Sequence, residues 1–229
     1  SGVTVNLYAK IGSAGTYALI RSATSGSDGS SLFSALADGY YRVSVVTNSA
    51  SLPTDAFNEP YRLTTDISRD FTLSGGSTNS VANFGFTALG AIGDKVFWDS
   101  NGNGGQDWNE PGIVGVRVLL YADANSNGVM DAGETCVRTT PTGTNGYYAF
   151  TGLVAGRYVA MVDGTSAVLG GARLTADPEM DGLPCPIPAD GSKGCDGETA
   201  VVIQPGVSFM GADFGYQPKG VLGDRLWID

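Results

Sequence analysis

This chain of 229 residues repeats itself, and the repeat limits its possible folds more than any other feature. Strand-like blocks recur in the same order in both halves, whereas the segments between them differ in length. Packed elements keep their spacing while surface loops tolerate insertions, so the pattern predicts tandem modules of one fold. The matched segments are 2–9 with 115–122, 27–46 with 144–163, 83–86 with 213–216, and 93–99 with 223–229.

The repeat also predicts the domain boundaries. We expect a first module at residues 1–88 and a complete second module at 89–217. Residues 218–229 are expected to form a linker and the opening strand of a third module. The first module lacks its own opening strand and the first of two acidic loops that the second module carries.

Each block has the pattern of a short β-strand. Alternating side chains in RYVAMV (157–162) would point to opposite faces, one buried and one in water. Turn-forming Gly, Asn and Pro separate the blocks, and no segment has sustained helical periodicity. Seven or eight strands in about 120 residues are typical of a two-sheet sandwich, so we predict an all-β fold. The expected strands of the second module lie near 94–98, 115–122, 135–140, 147–151, 156–163, 170–175, 199–204 and 207–215.

Two acidic loops, 99–110 and 123–134, match the twelve-residue EF-hand pattern D-x-N-x-N-G-x5-E at every fixed position. Turns rich in Asn, Asp and Gly also join strands without any metal, but two successive matches with ligands at equal offsets favour Ca²⁺. The predicted ligands are Asp99, Asn101, Asn103, Gly105 through its carbonyl, Asp107 and Glu110, and then Asp123, Asn125, Asn127, Val129 through its carbonyl, Asp131 and Glu134.

The segments that flank both loops predict a structural role for calcium. A calcium sensor works by moving two helices apart, and strand patterns flank these loops instead. Pro111 and Gly112, which follow the first loop, also oppose a helix. Two Ca²⁺ would change the formal charge from −10 to −6 and relieve repulsion inside each loop. We expect modest affinity, with Kd roughly 10⁻⁵ to 10⁻³ M, as in extracellular modules.

Composition excludes several functions. A chain with 23 acidic and 13 basic residues repels phosphate backbones, so nucleic acid is an improbable partner. The chain has no histidine, which removes the commonest general base and most zinc sites. The clustered carboxylates resemble metal ligands or loop charge rather than a glycosidase pair, so we predict that the chain is not an enzyme.

The three cysteines favour an oxidising compartment. Cys185 and Cys195 bracket a segment rich in Pro and Gly, and a disulfide between them would hold that segment together. Cys136 is then expected to be buried and reduced, or paired with a neighbouring chain. No apolar run approaches the roughly 20 residues of a membrane span, so we predict no membrane insertion in this segment.

A third acidic cluster lies within residues 177–198, and its spacing fits no ligand pattern. A solvated loop and an additional cation site are both open interpretations. The acidic residues of this cluster are Asp177, Glu179, Asp181, Asp190, Asp196 and Glu198.

Three segments of the second module together resemble the SdrD B-like repeat, the calcium-binding module of serine–aspartate-repeat surface adhesins, which is related to collagen-adhesin B-type domains. They are GDKVFWDSNGNGGQDWNEPGIVGVRVLLY (93–121), TNGYYAFTGLVAGRYVAMV (144–162) and ADFGY (212–216). The resemblance implies tandem Ig-like (prealbumin-like) β-sandwich modules, calcium bound by the first loop, and a spacer role in bacterial surface proteins. It also implies an extracellular location at the bacterial cell surface.

We therefore expect a non-enzymatic structural repeat of an extracellular surface protein or filament, made rigid by Ca²⁺. Its expected partners are adjacent repeats of the same or a neighbouring chain, and residues 220–229 could add as a strand to the next copy, which would build a homopolymeric fibre. The alternative is an adhesive or carbohydrate-binding module, whose ligand the sequence does not identify. Its stacking surfaces would be Trp98, Trp108 and the pairs Tyr40–Tyr41 and Tyr147–Tyr148.

Overall fold

The structure is a computed structural model that describes residues 2–48, 52–180, 182–185 and 194–220. It divides into two compact units, Ser1–Leu89 and Gly90–Asp229. Apart from short 3₁₀ turns, the regular elements of the described residues are strands, which confirms the all-β prediction. The predicted opening strand of a third module falls on 221–229, which lie outside the described residues.

The first unit contains one four-stranded antiparallel sheet and one short strand pair. The four-stranded sheet has the order β2-β1-β3-β5, and β4 pairs with β6. Val5, Leu7 and Val45 of the larger sheet are buried. The strands are β1 Thr4–Lys10, β2 Ala18–Thr24, β3 Gly39–Val45, β4 Arg62–Leu63, β5 Ser68–Leu73 and β6 Phe86–Thr87.

The second unit is a sandwich of two four-stranded sheets. The orders are β10-β7-β14-β12 and β13-β11-β8-β9, and all neighbours are antiparallel except the parallel pair β7 and β14. The strands are β7 Gly90–Trp98, β8 Arg117–Ala122, β9 Cys136–Pro141, β10 Tyr147–Leu153, β11 Gly156–Val162, β12 Arg173–Ala176, β13 Glu198–Ile203 and β14 Phe214–Gln217.

The core of the second unit lies between its two sheets. On β8, Val118 and Leu120 are fully buried, whereas Arg117 is exposed and Leu119 is only partly buried, as strand alternation predicts. Ile92 and Val96 of β7 and Phe214 of β14 meet them in one cluster. Burial of each such side chain contributes roughly 1.5–3 kcal/mol, so this core fixes the strand ends from which the acidic loops start.

The eight strands predicted for the second module all overlap observed strands, but the last prediction was too long. Residues 207–213 form no regular ladder with β7. Their contacts with it include an isolated bridge between Phe209 and Ile92 and a hydrogen bond from the Ala212 N–H to the Gly93 carbonyl at 3.1 Å, and regular pairing begins at Phe214. A turn in which Val207 N–H donates to the Gln204 carbonyl at 3.1 Å redirects the chain at that point. Turn-forming Pro and Gly at 205–206 predicted this turn, but alternation did not show that regular pairing begins only at Phe214.

The two units share the topology of one four-stranded sheet. The sheet order β2-β1-β3-β5 repeats as β9-β8-β11-β13, with the strands in corresponding sequence order. Tyr41 Oη donates to the Ala37 carbonyl at 2.7 Å, and its repeat counterpart Tyr158 donates to the Val154 carbonyl at 3.0 Å. The second sheet differs, because the described residues of the first unit contain only β4 and β6, the counterparts of β12 and β14.

Candidate metal sites

Both acidic loops begin directly at the end of a core strand of the second unit. Loop 1, residues 99–110, follows β7, and loop 2, residues 123–134, follows β8. The first residue of each loop is still part of the sheet hydrogen bonding. Asp99 N–H donates to the Tyr216 carbonyl at 3.0 Å, and Asp123 N–H donates to the Arg157 carbonyl at 3.1 Å. The backbone at the first predicted ligand is therefore fixed by the sheets.

The carboxylate of that first residue organises the turn. Asp99 accepts hydrogen bonds from the N–H groups of Gly102, Asn103 and Gly104 at 2.7, 3.1 and 3.0 Å. In loop 2 the carboxylate of Asp123 accepts the N–H groups of Asn127 and Gly128, both at 3.2 Å. The two loops thus curl around the same carboxylate in the same way.

The side chains at the third, fifth and ninth positions of loop 1 converge on one point. Asn101 Nδ2 and Asn103 Nδ2 lie 2.7 and 3.1 Å from Asp107 Oδ2. Rotating either carboxamide group by 180° would place its oxygen, instead of its nitrogen, next to Asp107. The arrangement therefore accommodates either hydrogen bonds to Asp107 or a cation surrounded by oxygens.

Loop 2 repeats this convergence. Asn125 Nδ2 and Asn127 Nδ2 lie 2.7 and 2.6 Å from Asp131 Oδ2. Because the loops differ in their remaining residues, the shared geometry follows from the Asp and Asn positions themselves.

The glutamate at the last position closes each loop with both oxygens. In loop 1, Glu110 accepts the Ser100 N–H at 2.7 Å and the Asp107 N–H at 3.0 Å. In loop 2, Glu134 accepts the Ala124 N–H at 2.9 Å and the Asp131 N–H at 3.3 Å. Each glutamate is held against both the start and the ninth position of its loop, where a bidentate ligand is required.

The sixth position of each loop needs a glycine. Gly104 has φ +80° and Gly128 has φ +77°, a region that side chains with a Cβ rarely adopt. A Cβ on Gly104 would also lie 2.4 Å from the carbonyl carbon of Leu183. The fourth position of each loop is also left-handed, with φ +71° at Gly102 and φ +63° at Ser126. Because serine has a Cβ and glycine does not, loop 2 carries backbone strain at this position that loop 1 avoids.

Buried charge gives the strongest indication of a cation. Asp99 is 0% exposed, Glu110 5% and Asp123 7%. In the part of the chain that the structure describes, ion pairs form only at Arg42–Asp70 and Arg117–Asp163, so no basic side chain neutralises these three carboxylates. A buried carboxylate without a counter-charge is costly, and a divalent ion at the loop centre would remove that cost.

The donors of both loops are oxygens, which fits a hard cation. Across the described ranges, no three His, Cys, Asp or Glu side chains stand close enough to hold an ion by themselves. Amide and carbonyl oxygens must therefore complete each shell. The N–H groups of Gly105 and Val129, the predicted carbonyl ligands, donate to Asn103 Oδ1 and Asn127 Oδ1 at 2.8 and 3.0 Å. These residues therefore lie beside the other predicted ligands.

Sequence reasoning missed one support of loop 2. Glu198 at the start of β13 accepts the N–H of Met130 at 2.8 Å, and so holds the middle of the loop against the sheet. A contact across 68 residues between a strand end and a loop has no local sequence signal.

The third acidic cluster is only partly described, because Asp181 and Asp190 lie outside the described residues. Asp177 is buried, with Oδ2 accepting the Gly197 N–H at 2.9 Å and Oδ1 without a hydrogen-bond partner. Burial, together with Glu179, raises its pKa to about 8. Asp177 shares a cavity of about 230 Å³ with Asp213, whose pKa burial and Asp94 raise to about 6. Burial therefore favours the neutral form of Asp177 in the absence of a cation.

Cys185 and Cys195 form a disulfide and are both buried. Cys136, the first residue of β9, is exposed and forms no disulfide within the described residues, so the first alternative, a buried reduced thiol, was wrong. Pairing with a neighbouring chain stays a prediction. It lies on an edge strand whose side chains mostly face solvent, because β9 pairs only with β8.

The aromatic residues divide between core and surface. Tyr41 and Tyr148 are 8% and 6% exposed, whereas Trp108 in loop 1 is 97% exposed and Tyr147 is 54% exposed. The inward residue of each tyrosine pair is a core residue, as strand alternation predicts.

Comparison with known proteins gives the family of the second unit. Residues 90–182 match the model of the SdrD B-like domain, and this segment belongs to that family. Serine-aspartate repeat-containing protein F of Staphylococcus epidermidis is 36% identical over 164 residues, which are 69% of this chain and 9% of that protein. Serine-aspartate repeat-containing protein D of Staphylococcus aureus strain Newman is 30% identical over 237 residues, covering 100% of this chain and 16% of that protein.

The chain thus spans less than a fifth of the length of these relatives. Among solved structures, the minor pilin GBS52 of Streptococcus agalactiae is similar with a TM-score of 0.32 and 15% identity, over 98% of this chain and 87% of that one. The domain match and the serine-aspartate repeat relatives place the chain outside the cell, at the bacterial surface. No helix of the described residues has the length and apolar character needed to cross a membrane.

Proposed function

We propose that loops 1 and 2 each bind one Ca²⁺ and that the chain is a calcium-stiffened structural repeat of a bacterial surface protein, without enzymatic activity. One observation carries the proposal: both loops fold around buried carboxylates that have no basic partner, with the same hydrogen bonds at the same positions. Buried carboxylates without a basic partner are costly, and turns that merely joined strands would not need them.

Calcium is the ion that this donor set favours. Each loop offers three carboxylates, two carboxamides and a backbone carbonyl, and Ca²⁺ takes six to eight oxygens in flexible geometry. Mg²⁺ demands a tight octahedron and keeps several waters, so a shell made almost entirely by the protein suits it less.

The place of the loops in the fold supports a structural role. Loop 1 connects β7 of one sheet to β8 of the other, and loop 2 connects β8 to its neighbour β9. Strands rather than movable helices flank both loops, so ion binding tightens existing connections and exposes no groove. A sandwich whose connections are fixed at both ends of β8 is suited to act as a rigid spacer.

Calorimetric titration tests the proposal. The chain should bind two Ca²⁺, with loop 1 tighter because its closing carboxylate, Glu110, is more deeply buried than Glu134. Asp99→Asn should remove the tighter site only, and Asp123→Asn the weaker site only. Each substitution is the matched control for the other. Titrations that show no heat from calcium at millimolar concentration, or that do not change in either variant, would refute calcium binding by these loops.

Assembly is the second part of the proposal. Residues 220–229 of one copy add as a strand to another copy, so that repeats join head to tail into a fibre. The sequence repeat supports this, since residues 223–229 match residues 93–99, which include most of β7.

An adhesive or carbohydrate-binding module is the alternative function. The exposure of Trp108 favours it, because an indole that is 97% exposed on a rigid loop offers a stacking surface. The two functions are compatible, since Trp108 follows the ninth position of loop 1 and is not a predicted ligand.

A further inference from the structure

We propose that the segment 182–185, which we call the strap, positions loop 1 for its cation, and that the Cys185–Cys195 disulfide holds the strap in place. The inference rests on the proposed calcium binding and deepens it, because it assigns part of the loop 1 site to residues outside the loop. It follows from a difference between the two loops in what lies against their sixth position.

The strap lies directly against the backbone of loop 1. A Cβ on Gly104 would lie 2.4 Å from both the carbonyl carbon of Leu183 and the nitrogen of Pro184, and 2.5 Å from the Leu183 carbonyl oxygen. These are backbone atoms, which cannot rotate away as the end of a flexible side chain can. The path of the strap therefore confines the sixth position of loop 1.

The same position of loop 2 is packed less tightly. A Cβ on Gly128 would have Ala200 Cβ as its nearest neighbour, at 3.2 Å, and Ala200 belongs to β13. The two glycines have nearly the same backbone conformation, with φ +80° at Gly104 and +77° at Gly128. The packing outside the loop is therefore what distinguishes the two positions.

Gly104 also helps to orient the first predicted ligand of loop 1. Its N–H donates to Asp99 Oδ2 at 3.0 Å, and Asp99 is 0% exposed. If the strap moved away, Gly104 would gain conformational freedom and this hydrogen bond would be less fixed. Ion binding would then have to order the turn, and that entropic cost lowers affinity.

The strap is anchored mainly at its last residue. Its first three residues are exposed, and the side chain of Leu183 lies largely in water at 63% exposure. The Leu183 N–H donates to the nearby Met180 carbonyl at 2.9 Å. Cys185, in contrast, is 3% exposed, and its N–H donates to the carbonyl of Thr175 in β12 at 2.8 Å. What fixes Cys185 therefore fixes the strap.

The disulfide connects this anchor to the start of a core strand. Cys185 is bonded to Cys195, which is 4% exposed. Two residues later the Gly197 N–H donates to Asp177 Oδ2 at 2.9 Å, and β13 begins at Glu198. Without the covalent bond the strap would depend on a few backbone hydrogen bonds, so we expect loop 1 to lose its support.

Loop 2 is supported by a sheet instead, which makes it an internal control. Glu198, which accepts the Met130 N–H at 2.8 Å, is paired with Met161 of β11. This support does not pass through the strap. Removal of the disulfide should therefore affect the two calcium sites unequally.

Calcium titration of single sites tests this role. All proteins carry Cys136→Ser to remove the exposed thiol, and Asp123→Asn or Asp99→Asn leaves only loop 1 or only loop 2 able to bind. Removing the disulfide with Cys185→Ser and Cys195→Ser should lower the calcium affinity of loop 1 at least about fivefold, because the strap is no longer fixed. The affinity of loop 2 should change less than about twofold.

Each failure of this experiment has its own meaning. Equal affinity of loop 1 with and without the disulfide would overturn the inference and leave the proposed function standing. An equal loss at both loops would show a general loosening of the unit, and would also overturn the inference. Absence of calcium binding to loop 1 in the parent chain would refute the proposed function, and this inference with it.

A pair of glycine substitutions tests the strap with the disulfide intact, and so decides the question even if the serine variant does not fold. Gly104→Ala and Gly128→Ala add the same methyl group at nearly equal φ, but only the first places it against the strap backbone. The affinity loss at loop 1 should exceed that at loop 2 at least about tenfold, because of this overlap. Equal losses would overturn the inference.

Combining the two sets of substitutions gives a double-mutant cycle. Without the disulfide, Gly104→Ala should cost loop 1 less affinity than it does with the disulfide, because a released strap can move away from the new methyl group. An equal cost in both backgrounds would show that the disulfide does not hold the strap, and would contradict the proposal.

Discussion

At the scale of single residues, the proposed function depends on a few positions whose spacing brings the side chains of each loop around one point. The Asp, Asn and Glu positions of loops 1 and 2 predicted that geometry, and the hydrogen bonds to Asp99 and Asp123 show the local turn behind the pattern. The difference between the loops is also local. Loop 1 has glycine at its fourth position, whereas loop 2 has Ser126 in a left-handed conformation.

We predict that exchanging these residues changes the stability of the loops in opposite directions. Ser126→Gly should relieve about 1 kcal/mol of backbone strain and raise the calcium affinity of loop 2 up to about fivefold. Gly102→Ser should lower the affinity of loop 1 by a similar factor, since φ at this position is +71°. Calorimetric titration of both variants checks this. Affinities that do not change, or that change in the same direction, would show that the conformation at this position does not limit binding.

At the scale of elements, alternation predicted β8, β10 and β13 well because each of these strands buries one face. It failed at 207–213, which form no regular strand, since hydrophobicity alone does not distinguish a strand from an apolar loop beside a sheet. The support of loop 2 by Glu198 was also beyond prediction, because the contact depends on tertiary packing. The exposure of Cys136 was likewise not predicted from the sequence, because it depends on the position of β9 at the edge of its sheet.

The covalent link between Cys185 and Cys195 belongs to this scale, because it closes a loop whose sequence is rich in Pro and Gly. Removing it with Cys185→Ser and Cys195→Ser should lower the free energy of unfolding by about 3 kcal/mol, from the greater entropy of the open unfolded chain. Cys136→Ser is the matched control and should change stability by less than about 0.5 kcal/mol, since that thiol is exposed and free. Denaturant unfolding measures both changes. Equal stability of the variants would show that the disulfide contributes little to the fold.

At the scale of the whole molecule, the repeat predicted two similar topologies, and the structure has them in the sheets β2-β1-β3-β5 and β9-β8-β11-β13. The chain carries a formal charge of −10, and its acidic loops raise the cost of folding through repulsion. Calcium is therefore expected to act on the stability of the second unit as a whole.

Thermal unfolding with and without calcium tests this central claim most directly. For two sites with Kd near 10⁻⁴ M, 10 mM Ca²⁺ should stabilise the second unit by roughly 5 kcal/mol relative to EDTA, and raise its melting temperature by at least about 5 °C. The double variant Asp99→Asn with Asp123→Asn should lose most of this shift while keeping the melting temperature of the first unit. A melting temperature of the parent chain that is the same in calcium and in EDTA would contradict the account.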